Sequence, residues 1–160
     1  MKVEKMKILF LDVDGVLNNL NLLEKSGWMA VGENQVDHLK IIIDLTGAEI
    51  VLSSTWRLHP DHNHVLRNIL SKKGMEIIGE TDNFGQFDLR AKEINSWLDE
   101  HPEVQKFAIL DDNFCAAFWE GIEEKVDLQH SFFQTEFNVG LNEEIRDQII
   151  AHLNSTTLTV

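Results

Sequence analysis

The residues best placed to do chemistry in this chain are two carboxylates, Asp12 and Asp14, in the stretch KILFLDVDGVLN at Lys7–Asn18. Ile8–Leu11 is an unbroken apolar run, suited to a strand buried on both faces of a parallel sheet. Side chains two apart on a strand point the same way, so both carboxylates should leave the strand's carboxyl end together. Gly15 lets the chain turn sharply just beyond them. Two like charges this close repel unless a cation sits between them or one is protonated. An oxygen-only pair suits a hard cation such as Mg²⁺.

Two more apolar runs end in polar residues. Ala48–Leu52 leads into Ser53-Ser54-Thr55-Trp56-Arg57, and Lys106–Leu110 leads into Asp111-Asp112. In open α/β sheets the ligand site lies outside the carboxyl ends of the strands, so the three clusters are predicted to converge. Ser53–Thr55 also has a plainer reading, a strand-end turn that caps a helix. Arg57 is either a ligand for the remainder of a substrate or a solvated surface charge, and Trp56 is expected to pack. His59, His62 and His64 form a run that could be read as a transition-metal site. No fourth ligand is evident, and solvated histidines are the expected reading.

The elements that must position these groups follow from periodicity and stop signals. Asn18–Gly32 reads as a polar loop carrying Trp28 and Met29, either a rim over the site or a surface excursion pinned by Trp28. Apolar residues at 36, 39, 42, 43 and 45 predict a helix over Asn34–Leu45, stopped by Gly47. Pro60 opens the next helix, whose inner face is Val65, Leu66, Ile69 and Leu70 and which Gly74 ends. Met75–Ile78 is a short third strand, Glu80–Asp88 a polar loop, and Arg90–Glu100 a helix with Ile94, Trp97 and Leu98 inward. Phe114–Trp119 reads as a helical turn and Val126–Phe133 as a last strand. Asn142 caps a final helix with Ile145, Ile149, Ile150 and Leu153 inward. Strands alternating with helices predict an α/β fold with a mainly parallel sheet. Residues 1–153 are expected to form one domain and 154–160 a loose tail.

Bulk properties narrow the function classes. At 160 residues, with 43% apolar and 26% charged side chains, the chain is that of an ordinary globular protein rather than a disordered one. No apolar run approaches bilayer-spanning length, and the charged start MKVEKMK precedes too few apolar residues for a signal peptide. A cytoplasmic location with no membrane partner is therefore expected. The single Cys115 excludes an internal disulfide and is expected to be a small buried hydrophobe. A net charge of −13, from 27 acidic and 14 basic side chains, argues against a general nucleic-acid binder. It leaves room for a local pocket aimed at one phosphate group.

In order along the chain, DVDGVLN, SSTWR, the Arg/Lys pair of LRAKEI, and ILDDN resemble the four motifs of the haloacid dehalogenase-like (HAD) superfamily. Within it, the chain is similar to small phosphatase-like domains, including some found in RNA-repair proteins. The resemblance implies a three-layer α/β/α sandwich on a Rossmann-like, HAD-type sheet, and Mg²⁺-dependent hydrolysis of a phosphate monoester. Asp12 would be the nucleophile that forms an aspartyl-phosphate, and Asp14 the general acid and then base. Ser54, or Ser53 in second place, would donate to the phosphoryl oxygens, with Gly15, Thr55 and Arg57 as further substrate contacts. Arg90 is favoured over Lys92 as the balancing cation. Asp12, Asp14 through its backbone carbonyl, Asp111 and Asp112 would form the metal site, with Asp112 favoured for direct contact. The intervals between motifs leave no room for a full cap domain. An open site admits a bulky substrate, such as a nucleotide, nucleic-acid end or phosphoprotein, as well as a small phosphorylated compound. The rivals are a non-catalytic Mg²⁺- or phosphate-binding interaction module and a phosphotransferase.

Overall fold

The computed structural model describes residues 6–85, 89–118 and 126–155. Five strands form one sheet: β1 (Met6–Leu11), β2 (Glu49–Leu52), β3 (Ile77–Glu80), β4 (Val104–Asp111) and β5 (Phe132–Gln134). Their order is β3-β2-β1-β4-β5, and every pairing is parallel. The strand that opens the chain is thus the centre of the sheet, with the chemistry-bearing β2 and β4 on either side. The helices are α1 (Leu20–Ser26), α2 (Glu33–Thr46), α3 (Pro60–Lys72), α4 (Arg90–Asp99), α5 (Val126–His130) and α6 (Glu143–Asn154).

Side-chain alternation divides the core in two. Leu9, Leu11, Ile50, Leu52, Ala108 and Leu110 face α2, α3 and α6. Ile8, Phe10, Val51 and Ile109 face α4 and α5, where Phe10 meets the Trp97 ring edge-on at 5.5 Å. Both faces of the sheet are covered, which is why its strands are continuous apolar runs and not alternating ones. This is the three-layer α/β/α sandwich with a Rossmann-like sheet. The described residues between β1 and β2, and between β2 and β3, are helices and turns of the sandwich, with no inserted cap among them. No helix is long and apolar enough to cross a membrane among the described residues.

Four local expectations are corrected. The Asn18–Gly32 loop contains a helix, α1: the Asn19 side chain caps it by accepting from the Leu22 N–H, and Gly27 ends it. Trp28 is 65% exposed, so it pins nothing. The third strand begins at Ile77, because the Met75 N–H is spent on the Leu70 carbonyl at the end of α3. Val126–Phe133 splits into the short helix α5 and the edge strand β5. The Val-Asp-Leu-Gln alternation is too short to tell a strand from one helical turn, and the Ser131 N–H to Asp127 carbonyl bond closes the turn. The predicted Phe114–Trp119 turn is a 3₁₀ turn over Phe114–Ala116, and Trp119 lies outside the described residues. So do residues 86–88 of the predicted loop and 156–160 of the predicted tail.

Candidate active site

Beyond the last paired residues, the backbone ladder continues for one more step. The Asp12, Ser53 and Thr81 N–H groups donate to the carbonyls of Leu110, Leu11 and Leu52 at 3.0–3.1 Å. Asp111, Asp12, Ser53 and Thr81 therefore stand in a row across the carboxyl ends of four strands. By alternation from Ile109, Phe10 and Val51, they lie on the α4 side of the sheet. The predicted convergence of the three clusters is present in the fold.

Arg90, the first residue of α4, closes the row from above. Its Nη1 lies 2.8 Å from Asp111 Oδ2 and 3.3 Å from Asp12 Oδ1. Asp111 is fully buried, and its other oxygen accepts from the Asn113 N–H at 2.9 Å. Both Asp111 oxygens are thus engaged by the protein, whereas Asp112 is half-buried and lines the cavity in front of Asp12. Asp12, Asp111 and Asp112 each present an oxygen within 4.8 Å of the others, the one such group of acidic, His or Cys side chains among the described residues.

Gly15 makes room for that approach. It adopts φ +79°, and a Cβ there would come within 2.5 Å of Asp112 Oδ2 and 2.8 Å of the Phe137 ring. Two polar side chains clamp the turn. Asn18, fully buried, accepts from the Gly15 N–H at 2.8 Å and donates to Asp14 Oδ1 at 2.9 Å and to the Ala30 carbonyl at 3.1 Å. Thr135 donates to the Gly15 carbonyl at 2.6 Å. The sequence by itself assigns no role to Asn18, Asn113, Thr81 or Glu93, and Phe132–Thr135 reads there only as a closing strand that lines the rim or packs in the core. Asn18 closes the first motif, and a polar residue so near the acidic pair was the available signal.

The second cluster divides differently from the expectation. Ser54 is the capping residue of the 3₁₀ turn Thr55–Leu58, its Oγ accepting from the Trp56 N–H at 3.1 Å, and it is not on the cavity wall. This is the capping alternative. Ser53 is fully buried next to Asp12 in the ladder, and among the described residues its Oγ has no hydrogen-bond partner; nor has Thr81 Oγ1 beside it. Buried polar atoms are rarely left so. Thr55 is exposed and lines the cavity. Arg57 is neither a solvated charge nor available to a substrate. Its guanidinium is buried, donating to the carbonyls of Ser53, Ser54, Thr81 and Asp82 and pairing with Glu93 at 3.2 Å. Lys92, the rival cation, is exposed on the far side of the first turn of α4. Trp56 is buried, and His62 packs edge-on against it at 4.9 Å. Cys115 is half-buried on the cavity wall and not a core residue.

The cavity holds about 220 Å³, lined by Asp12, Asp14, Thr55, Arg90, Asp112, Asn113, Cys115 and Ala116. Its electrostatics follow from crowding in a poorly solvated place. Burial, and then the neighbouring Asp111 charge, raise the Asp12 carboxyl well above the usual carboxylate range, with Arg90 pulling the other way. Burial also raises Asp112, again with help from Asp111 and against a hydrogen bond with Asp12. For Arg90 burial alone would lower the pKa, but Asp12 and Asp111 outweigh it and hold the guanidinium above its ordinary value. Three carboxylates against one guanidinium leave a formal charge of −2, which one divalent cation balances. The donor set, all oxygen, fits a hard cation such as Mg²⁺.

Neither a curated protein nor a solved structure matches the chain. A family model does, and it covers the same stretch, from β1 into α6, that builds the row of carboxylates. The model of the HAD domain in Swiss Army Knife RNA repair proteins matches residues 8–145, and the chain belongs to that family.

Proposed function

We propose that this domain is a Mg²⁺-dependent phosphoric monoester hydrolase working through Asp12. The observation that carries the reading is the meeting of Asp12, Asp111 and Asp112 oxygens within 4.8 Å, with the Arg90 guanidinium on Asp12. Asp12, Asp112 and the Asp14 carbonyl would hold the ion, and Asp111 would position Arg90. Bound there, Mg²⁺ supplies the charge that lets a phosphate approach so many carboxylates.

In the first step a carboxylate oxygen of Asp12 forms a bond to phosphorus as the bond to the leaving oxygen breaks. Asp14 gives its proton to that oxygen, and the phosphoryl group stays on Asp12 as an aspartyl-phosphate. In the second step Asp14 takes a proton from water, which attacks the phosphorus and releases inorganic phosphate and free Asp12. Asn18 holds one oxygen of Asp14 at 2.9 Å, which orients the carboxyl for both transfers. Arg90 balances charge on the phosphoryl group in flight. Either serine has an O–H to give to the phosphoryl oxygens: the Ser53 hydroxyl is unpartnered beside Asp12 among the described residues, and the Ser54 cap uses only the oxygen as acceptor.

The test is hydrolysis of an aryl phosphate with Mg²⁺, with EDTA, and by Asp12→Asn. Asp12→Asn is expected to lower kcat by about 10³-fold or more, and EDTA to abolish turnover until Mg²⁺ is restored. Activity surviving in Asp12→Asn rules the mechanism out. Calorimetric Mg²⁺ binding with no turnover on any phosphate ester identifies the domain as an interaction module.

A further inference from the structure

The cavity takes a phosphoryl group and little more. Its volume of about 220 Å³ is below the roughly 300–1,000 Å³ of pockets that engulf a whole small ligand. The leaving group of any larger ester must lie outside it, against the mouth. Among the described residues, Arg90 is the one Lys or Arg on the cavity wall, and its place beside Asp12 and Asp111 leaves no cation for the leaving group. What the loops at this end of the sheet expose is aromatic instead.

Among the described residues, the Phe and Trp side chains that are well exposed are Trp28, Phe84, Phe114 and Phe118, at 65, 42, 59 and 47%. Phe84 follows the carboxyl end of β3, Phe114 and Phe118 follow that of β4, and Trp28 lies between α1 and α2 on the connection out of β1. Phe114 lies between Asn113 and Cys115, both on the cavity wall. The Phe84 N–H donates to Glu93, one turn along α4 from Arg90. Trp28 stands two residues before Ala30, whose carbonyl is tied to Asn18 and through it to Asp14. Rings exposed singly across a surface need no explanation, but their confinement to the connections at one end of the sheet does.

A flat π-system is what exposed aromatic faces bind without cations, and base–aromatic stacking works this way. A sugar phosphate would leave these rings in water. A long phosphate backbone would meet a chain of net charge −13. We propose that this rim, with Phe114 at its inner edge, is a leaving-group subsite that stacks the nucleobase of a nucleoside phosphate monoester. The group is a free mononucleotide or the terminal nucleotide of a chain. The proposal rests on the phosphatase reading for where the phosphate sits.

Adenosine 5′-monophosphate and ribose 5-phosphate differ by the base alone. The wild-type protein is expected to favour the adenosine ester in kcat/KM. Phe114→Ala should reduce that preference about tenfold, and Phe114→Trp should keep it. A 5′-phosphorylated trinucleotide, run alongside, separates a chain end from a free mononucleotide. No preference in the wild type, or one unmoved by Phe114→Ala, overturns the proposal. If no ester is hydrolysed, the phosphatase reading has failed separately, and saturation-transfer NMR with Mg²⁺ and adenosine 5′-monophosphate decides the rim. Saturation of adenine H2 and H8 above ribose H1′, lost in Phe114→Ala, supports it; equal saturation overturns it.

Discussion

Arg57 and Arg90 are both arginines drawn from the surface into the carboxyl end of the same sheet, and they are put to opposite uses. Arg57 spends its donors on four backbone carbonyls and on Glu93, closing the corner between β2 and β3. Burial lowers its pKa, with Glu93 opposing. Among the described residues Arg90 has no carbonyl partner; it reaches Asp12 and Asp111, and their charges hold its pKa above the ordinary value despite burial. A guanidinium saturated by main chain is a fastener. One aimed at carboxylates that line a cavity can exchange partners with a phosphoryl group. Partner type, and not burial or proximity to the motif, separates the two.

Substitutions at these positions should therefore fall on different measurements. Arg90→Met is expected to lower kcat/KM for an aryl phosphate by about 10²–10³-fold. Unchanged activity would make Arg90 a structural partner of Asp111, as Arg57 is of Glu93. Arg57→Met should instead lower the unfolding free energy by about 3–5 kcal/mol, because it leaves Glu93 buried and unpaired. Urea unfolding reads this loss, and Arg57→Met/Glu93→Leu should recover part of it. A rise in KM for the folded fraction of Arg57→Met, with no loss of stability, would restore it as a substrate ligand. Lys92→Ala is the control: exposed beside Arg90, it should change stability by no more than about 0.5 kcal/mol and kcat/KM by no more than about twofold.

The smallest effect lies at the other end of the sheet, where His152 of α6 donates from Nε2 to the Phe107 carbonyl at 2.9 Å. Burial lowers its pKa, with the carbonyl opposing. The unfolded chain then binds the proton more readily than the native one. Its contribution is present above the unfolded pKa and is lost as pH falls through the folded value. Urea midpoints should drop on acidification through that window, and His152→Gln should shallow the drop. An unchanged slope would show that other groups carry it.

Much of the site could be read along the chain because its signals are local. An apolar run followed by Asp-x-Asp-Gly, or by Asp-Asp, marks a strand end wherever the chain goes, and Ile8–Leu11 and Lys106–Leu110 lie in β1 and β4 as their composition required. Asn142 and Gly47 bound their helices because caps act within a few residues. Residue order is least decisive where local signals tie. Ser53 and Ser54 are adjacent and chemically identical, and the ladder decides which stands next to Asp12. In the Val126–Phe133 stretch a two-residue period was too short to settle its own kind.

Residue order was enough to say that three strands end in polar chemistry and that a parallel sheet brings those ends together, since both follow from apolar runs and stop residues. It could not say that Asp111 would turn to Arg90 while Asp112 faced the cavity, or that Arg57 would be buried. Those choices depend on strand register and on how α4 packs across Phe10 and Val51. A side chain's direction at a strand end is set by neighbours distant in the chain, and only their assembly supplies them.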